Sequence, residues 1–483
     1  MTYFNTHARP LRVALLSVSM LAVTACTTVG PDYGGAPEVA SASVERGMFL
    51  RSPDEATRQA PAGDWWTEFN DPVLAQLVAD ALMNAPSIDA AFARVTQARA
   101  GLQGARTAAL PSLGSSVSTP YINVPADLVD SDSNRDRYSA ESLSVGFDAG
   151  WELDLFGGNR RRVEADAARL AASEASLADA QVSLSAEVAR IYIGLRARQE
   201  MASVLQQQLG MDRQLLALAR QRHEQGTATL HPVEQYRSAE AQTLADIARN
   251  EVEIAVAMDQ LAVLSGLEPG ALNNRLADQG AVPLPPAEIA IGAPADLLRT
   301  RPDIRQAERN LAAANADIGV NVADRFPKVS FLGLLGLGGG SIGETLDPTN
   351  LIGLALPRIS WSAFDGGRTE ARIEASRGAF IEAEANYRGT VLAALGDAEN
   401  SLTRFGGARV ALARTLDARE SAQRVATLDT MRAQAGTIAH SQAIASDREV
   451  AGTELALIAA KAELAEAYIA VNKAMGFGWS DIE

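Results

Sequence analysis

The pattern of apolar and polar residues predicts both short strands and two very long helices. From residue 143 to 155, apolar side chains alternate with small or acidic ones, which predicts a β-strand with one apolar face. Residues 159–225 and 368–435 instead lack proline, contain few glycines and are rich in alanine and charged residues. Each predicts a helix roughly 100 Å long. Such a helix is typical of a coiled coil or a helical tube.

This pattern occurs twice in the chain. At a separation of 210 residues the matched pairs include Trp151 and Trp361, Arg222 and Arg432, Gly226 and Gly436, and Thr227 and Thr437. Upstream, Pro86 and Pro111 recur as Pro302 and Pro327, at a separation of 216 residues. A constant separation over such a length predicts two copies of one structural unit and a quasi-symmetric fold.

The repeat sets the predicted domain boundaries. They are a signal peptide (1–25), an extended lipid-anchored segment (26–70), a first repeat (71–266), a linker (267–294), a second repeat (295–476) and a C-terminal tail (477–483). The elements expected in the first repeat are helices, then a strand pair (about 112–155), a long helix (159–225) and a shorter helix (231–265). Those of the second are a strand pair (about 328–364), a long helix (368–435) and a shorter helix (440–475). The alternation changes phase at Pro357, which predicts a β-bulge.

The N-terminus predicts export and a lipid anchor. Residues 1–25 have the basic start and apolar run of a signal peptide. The small residues Val23, Thr24 and Ala25 precede Cys26, the only cysteine of the chain, as in the site read by lipoprotein signal peptidase. We therefore expect acylation of Cys26. Thr27 follows in place of the aspartate that usually holds lipoproteins at the inner membrane, so we expect attachment to the outer membrane. The alternative is a plain secretory signal with an incidental cysteine.

Charge and motif content exclude several classes of function. The formal net charge of −16 disfavours nucleic acid as a partner, because phosphate binding needs a basic surface. We find no serine or cysteine nucleophile arrangement, phosphate loop or metal-ligand spacing, so we expect no enzymatic activity, no metal and no cofactor beyond the lipid on Cys26. After residue 25 no apolar run reaches the length of a membrane-spanning helix, so any membrane crossing must use strands.

Strand number predicts a homotrimer. Two repeats give four strands per chain, and an open sheet edge in lipid leaves backbone groups without hydrogen bonds. Three chains would supply twelve strands, within the known range for outer-membrane barrels. Two chains would supply eight, which is enough for a filled barrel but not for an open channel.

Five segments carry a resemblance to a known family. They are residues 29–33 (VGPDY), 65–74 (WWTEFNDPVL), 151–157 (WELDLFG), 301–308 (RPDIRQAE) and 476–479 (GFGW). Together with Cys26 they resemble the TolC-type outer-membrane efflux channels, and within these the OprM/NodT lipoprotein branch. The similarity covers essentially the whole mature chain.

The resemblance implies a mainly α-helical fold with membrane β-structure. It implies a TolC-like trimer with a twelve-stranded β-barrel in the outer membrane, four strands coming from each chain, on a long α-helical barrel in the periplasm. The implied function is a passive exit duct for drugs or other small molecules. Its implied partners are outer-membrane lipid, a periplasmic adaptor (membrane fusion) protein and an inner-membrane efflux transporter, commonly of the RND class. The implied docking residues are Arg222, Gly226, Thr227, Arg432, Gly436 and Thr437. The alternative is that the two arginines only pair with neighbouring helices.

The resemblance also implies a gate near the two helix turns. An acidic ring is expected nine residues after the second-turn glycine, where this chain has Ala445, and the nearest acid is Asp447. The candidate gate residues near the two turns are His231, His440, Ser441 and Asp447. The alternative for Asp447 and its neighbours Arg448 and Glu449 is a solvated helix face.

Histidines cluster in the same region. Outside residues 1–25, all three histidines (His223, His231, His440) lie within five residues of Gly226 or Gly436. One hypothesis is that their protonation below about pH 6.5 adds positive charge and loosens a closed tip. The alternative is that they are ordinary exposed histidines.

The strand ends carry candidate membrane and pore residues. Trp151 and Trp361, each followed by arginines, suit a membrane interface with phosphate head groups. The alternative is that both tryptophans are buried at a domain junction. Asp148, Glu152 and Asp154 share the polar strand face and are expected to line the lumen, which predicts a cation preference.

Two other functions compete with the conduit. One is a lipid-anchored periplasmic spacer or adaptor, and the other is a lipoprotein enzyme. The amphipathic strand pairs favour the conduit, because a spacer has no use for them.

Overall fold

The computed structural model describes residues 28–52, 56–57, 63–119, 121–125, 137–278 and 280–479. The predicted signal peptide, its recognition residues Val23, Thr24 and Ala25, and the predicted lipidation site Cys26 lie outside these residues. Among the described residues, no helix combines the length and apolar character needed to cross a membrane.

Long helices dominate the chain. The helices are α1 (Ser41–Arg46), α2 (Pro72–Asn84), α3 (Pro86–Thr107), α4 (Gly158–Glu224), α5 (His231–Leu264), α6 (Asn273–Leu276), α7 (Pro294–Thr300), α8 (Pro302–Ala323), α9 (Ile342–Thr345), α10 (Arg368–Gln434) and α11 (His440–Met475). Short 3₁₀ helices occupy Trp65–Phe69 and Pro348–Asn350. The strands are β1 (Ala56–Thr57), β2 (Ser112–Ser118), β3 (Tyr121–Pro125), β4 (Arg137–Glu141), β5 (Leu143–Leu153), β6 (Ile289–Ala290), β7 (Lys328–Gly339) and β8 (Leu351–Ser360).

The helix lengths reproduce the sequence repeat. Helices α4 and α10 each contain 67 residues, and α3 and α8 each contain 22. Helices α3 and α8 both begin at a proline, Pro86 or Pro302, which the first helical position tolerates because its N–H has no partner inside the helix. Both long helices lie within one residue of their expected bounds.

The chain divides into two compact units. The first contains Met1–Pro37, Thr96–Ala172 and Glu308–Asn386, and the second contains Glu38–Val95, Ser173–Ala307 and Tyr387–Glu483.

The first unit contains an antiparallel sheet of four strands in the order β2-β5-β7-β8. Strands β3 and β4 form a separate antiparallel ribbon. In the described part of the chain, β2 and β8 each have a strand on one side only. Each repeat therefore contributes one neighbouring strand pair, with an open edge at each end of the sheet.

The β-bulge predicted at Pro357 is wrong. The ladder between β7 and β8 runs without interruption from the Lys328–Ser360 pair to the Leu337–Leu351 pair, and Pro357 lies in register opposite Phe331. Strand β8 is an edge strand, so it can accommodate a residue that has no N–H to donate. The phase change in the sequence therefore reflects side-chain type and not backbone geometry.

In the second unit, the tryptophan-rich segment is part of the core. Trp65 is fully buried, and the Phe69 ring lies 5.4 Å from that of Tyr468 on α11, edge to face. Asp71 caps α2 by accepting hydrogen bonds from the amides of Val73 and Leu74 at 2.9 and 3.1 Å. Residues 65–74 thus fix the start of α2 against α11.

Arg301 has a similar structural role in the second unit. It donates to the carbonyl of Ala474 at 2.8 Å and pairs with Asp303 at 2.6 Å. Beside it lies a cavity of about 320 Å³ whose lining includes Asp179 and Asp303. Burial raises the pKa of Asp179, and the negative charge of Asp303 raises it further.

Replacing this partly buried carboxylate should stabilise the second unit at neutral pH. A raised folded-state pKa means that ionised Asp179 opposes folding above that pKa, and that the penalty disappears as the pH falls through it. We expect Asp179→Asn to raise the free energy of unfolding by about 0.5–1 kcal/mol at about pH 7.5, with a smaller gain in acid. Thermal unfolding in detergent measures this. Asp397→Asn, in the same cavity but largely exposed, is the control and should give no gain. Equal changes in the free energy of unfolding for the two variants would contradict the conclusion that ionised Asp179 opposes folding.

Candidate functional sites

The turn between α4 and α5 is a Schellman motif. Gly226 adopts a left-handed conformation (φ 70°) and its N–H donates to the carbonyl of His223 at 2.9 Å. The amide and the hydroxyl of Thr227 both donate to the carbonyl of Arg222, each at 2.9 Å. These bonds satisfy carbonyls that have no partner within the helix.

The turn between α10 and α11 is built in the same way. Gly436 has φ 72°, and the amide and hydroxyl of Thr437 donate to the carbonyl of Arg432 at 2.9 and 3.0 Å. The shared arginine, glycine and threonine pattern is thus explained by turn geometry, to which the arginine contributes its backbone carbonyl. A docking role for the arginine side chains stays a prediction.

Apolar packing closes the first hairpin behind its turn. Leu216 and Ala219 of α4 are buried against Val233 of α5, and Tyr236 packs on this cluster. The hairpin end is therefore held by side-chain packing as well as by the turn.

The three histidines occupy different positions at the hairpin ends. The Nδ1 of His223 lies 3.1 Å from the carbonyl of Ala228, within the first turn. His231 and His440 are the first residues of α5 and α11, and both are exposed. Their proposed pH response stays a prediction.

Behind the hairpin ends, a buried aspartate joins three helices. Asp212 of α4 is fully buried. One of its carboxylate oxygens accepts a hydrogen bond from the Nε of Arg448 on α11 at 2.5 Å. The other accepts a hydrogen bond from the hydroxyl of Thr243 on α5 at 2.7 Å. Removing one partner of such a group leaves a buried charge without compensation, which is costly.

A second buried aspartate supports the other hairpin. Asp429 of α10 accepts the hydroxyl of Ser446 on α11 at 2.6 Å and pairs with Arg432 at 3.2 Å. Each long helix thus has an aspartate that binds a side chain of a neighbouring helix.

The solvated-face interpretation is wrong for Arg448, because its guanidinium binds Asp212. Of the candidate gate residues, Asp447 and Ser441 are half-buried on α11, next to these networks but outside the contacts just described. Asp212 was not among the residues predicted from the sequence. A signal existed, since Asp212 interrupts the otherwise apolar stripe of Leu205, Leu209, Leu216 and Ala219 at helical spacing.

At the strand ends of the first unit, the two tryptophans make equivalent contacts. The indole of Trp151 donates to the carbonyl of Ala109 at 3.1 Å, and that of Trp361 donates to the carbonyl of Arg325 at 2.9 Å. The two acceptors are also matched by the repeat, at a separation of 216 residues. The side chains are 40% and 59% exposed, so the buried-junction alternative is wrong within this chain.

Two polar residues expected at the membrane end have other partners. Asp154 lies beyond the end of β5, where its carboxylate accepts the backbone amides of Asn159 and Arg160 at 3.1 and 3.0 Å and caps α4. It is therefore removed from the predicted lumen set. Arg161, one of the arginines that follow Trp151 and were expected to suit lipid head groups, is 3% exposed and pairs with Asp32 and Glu164 instead.

The charged side chains of the four-stranded sheet all lie on one face. Glu152 and Arg358 share a row through Ser330, and Asp148 and Lys328 lie on the same side. The opposite face is apolar, with Val145, Phe147, Trp151, Phe331, Leu335 and Ile359. We call these the charged face and the apolar face.

The charged face is less acidic than expected. Two acids, Asp148 and Glu152, are balanced by two bases, Lys328 and Arg358. Over β7 and β8 the same face carries leucines, since Asp148 shares its row with Leu334 and Leu354. The alternation seen in β5 therefore does not continue through the second strand pair.

The buried pair behind the hairpin ends allows a direct test. Asp212→Ala removes the acceptor of both Arg448 and Thr243, and we expect a loss of about 2 kcal/mol of stability. Asp447→Ala, one residue from Arg448, is the matched control and should change stability by no more than about 0.5 kcal/mol. Denaturant unfolding in detergent measures both. The double variant Asp212→Ala with Arg448→Met should recover part of the lost stability. Equal losses for Asp212→Ala and Asp447→Ala would contradict the structural role given to Asp212.

Comparison with known proteins identifies the family. Residues 77–267 and 293–477 match the family described as "Outer membrane efflux protein". Nodulation protein T of Rhizobium leguminosarum bv. trifolii is 28% identical, over 94% of this chain and 95% of that protein. The pyoverdine export outer membrane protein OpmQ of Pseudomonas aeruginosa is 30% identical, over 86% of this chain and 87% of that protein.

Solved structures share the fold. The outer-membrane channel OprN superimposes with a TM-score of 0.84 at 31% identity, over 93% of this chain and 99% of that chain. The Campylobacter jejuni CmeC outer membrane channel also gives a TM-score of 0.84, at 20% identity, over 94% of this chain and 96% of that chain. The family resemblance and the outer-membrane location are confirmed: the chain belongs to the outer membrane efflux protein family and has the fold of TolC-like channels.

Proposed function

We propose that this protein, as a homotrimer, is the passive outer-membrane exit duct of a tripartite efflux pump. The observation that carries the proposal is the four-stranded sheet, which has an open edge on each side among the described residues and keeps all its charges on one face. The open edges determine how the sheet can close, and the single charged face determines how the sheet would be oriented in the membrane.

Closure needs other copies of the chain. The N–H and C=O groups on the outer sides of β2 and β8 have no strand partner among the described residues. In a bilayer each such group costs several kcal/mol, so a membrane sheet must close on itself. Pairing β8 of one copy with β2 of the next, in a ring of three, would give the proposed twelve strands.

Orientation follows from the two faces. The apolar face suits lipid. Trp151 on that face and Trp361, one residue beyond the end of β8, suit the membrane interface, which supports their predicted role. The charged face would then line the lumen with Asp148 and Glu152. Because Lys328 and Arg358 lie there too, we propose weak ion selectivity in place of the predicted cation preference.

The hairpin ends supply the proposed gate and docking surface. Both turns expose helix ends built on Gly226 and Gly436, and the buried Asp212 pair holds helices behind one of them. We propose that a periplasmic adaptor binds there and that an inner-membrane transporter, of the RND class in the predicted assembly, delivers the solute.

Small organic molecules are the proposed cargo, without a cofactor or catalysis. Related proteins are named for pyoverdine export, antibiotic efflux and toluene efflux. A lipid on Cys26 belongs to the proposal, and the mass of the mature N-terminal peptide tests it against an unmodified cysteine. The anchored spacer is less well supported, because it gives no reason for charges to be confined to one face of the sheet.

Ion selectivity tests the proposed lumen face. In planar bilayers under a salt gradient, the native protein should form channels with a small reversal potential. Glu152→Gln should shift the potential toward anion preference, and Arg358→Gln should shift it toward cation preference, because each removes one charge from the same row of the lumen. Phe147→Leu on the apolar face is the control and should leave the potential unchanged. Absence of channels would contradict the proposed function. Channels whose reversal potential is unchanged by both substitutions would contradict only the assignment of the lumen face.

A further inference from the structure

A short segment in the first unit is bound between two helices that belong to different repeats. This segment, residues 28–33, is here called the strap. The amide of Val29 donates to the carbonyl of Phe156 at 3.0 Å, just before α4 begins. Further along, the hydroxyl of Tyr33 donates to Glu308 of α8 at 2.8 Å.

Arg161 of α4 is the main contact of the strap. Its guanidinium donates to the carbonyls of Val29 and Gly30 at 3.1 and 3.3 Å and pairs with Asp32 at 2.5 Å. A remaining nitrogen pairs with Glu164 at 2.8 Å. The planar guanidinium thus binds several acceptors at once, which a lysine ammonium cannot do with the same geometry.

Helix α8 completes the site. Asn315, which is 5% exposed, donates its side-chain amide to the carbonyl of Pro31 at 3.0 Å. The buried polar groups on both sides of the strap therefore have strap backbone as their partners.

The backbone of the strap lies against α8 with no space between them. Gly30 has φ +90°, and a Cβ placed on it would lie 2.4 Å from the Cα of Gly319. A Cβ on Gly319 would lie 2.7 Å from the Cγ of Arg161. Both positions require glycine because strap, helix and arginine side chain meet there.

The repeat shows that this site is built only once per chain. The positions that match Arg161, Asn315 and Gly319 in the other repeat are occupied by Ala371, Arg99 and Gln103. None of these can reproduce both the arginine contacts and the close glycine approach. The strap site is therefore a departure from the quasi-symmetry, and not a consequence of it.

We propose that the strap is a staple that fixes the two repeats of one chain to each other, and that Arg161 is its positioning residue. The stapled helices adjoin the central strand pair, since α4 follows β5 and α8 precedes β7. Helices α3 and α10 instead adjoin the edge strands β2 and β8, which only a second copy of the chain can bring together. The staple thus holds α4 and α8 together within one chain. The folded protomer can then pair its edge strands β2 and β8 with those of other copies.

Hydrogen exchange of the full-length protein tests the staple. In the native protein the amide of Val29 should be protected, together with residues 156–161 and 308–319. Arg161→Ala should speed exchange in all three segments by about tenfold or more, since several hydrogen bonds to a charged group are lost. Arg161→Lys should retain the charge but restore little protection. Exchange at the α4–α5 turn should be unchanged.

The matched control is Arg162→Ala, which removes the same charge from the next, exposed residue of α4. It should leave the strap protected. If Arg161→Ala does not fold, Asn315→Ala removes only the bond to Pro31 and should give a smaller acceleration in the same segments. A strap that stays protected in both variants, or one that is equally exposed by Arg162→Ala, would overturn the proposal.

Discussion

Backbone hydrogen bonding is the constraint on which the rest of this structure depends. Among the described residues, a single chain satisfies the backbone groups of β5 and β7 from both sides, but it satisfies those of β2 and β8 from one side only. In lipid the missing bonds would cost more than a marginally stable fold can lose, so the proposed membrane sheet needs other chains to pair with its edges. The confinement of charge to one face fits the same requirement, because it leaves the other face without a charged side chain.

The two repeats explain which residues are needed for architecture and which are particular to this chain. Trp151 and Trp361 donate to matched carbonyls, and Thr227 and Thr437 close matched turns, so these pairs follow from building the same unit twice. Contacts that lack a counterpart are more informative about this chain. Arg161 is the clearest example, because it binds the strap and the matching position of the other repeat is Ala371.

Local signals made much of the fold predictable from sequence. The absence of proline and the terminal glycines located both long helices to within one residue, because helix start and stop signals are local. The family and the outer-membrane location also followed from short motifs, and the strand pairs followed from the alternation of apolar and polar residues. The bulge at Pro357, the lumen position of Asp154 and the exposure of Arg448 were not predictable in this way. Each depends on a partner or a strand register elsewhere in the chain, as Arg448 depends on Asp212 some 236 residues away.

The number of chains in the native particle tests the central claim most directly. The protein would be extracted in mild detergent from purified outer membranes and its mass measured by native mass spectrometry. The account predicts three copies, which would let β8 of each chain pair with β2 of the next around a closed ring. A stable single chain inserted in the membrane would leave both sheet edges unpaired and would contradict the account.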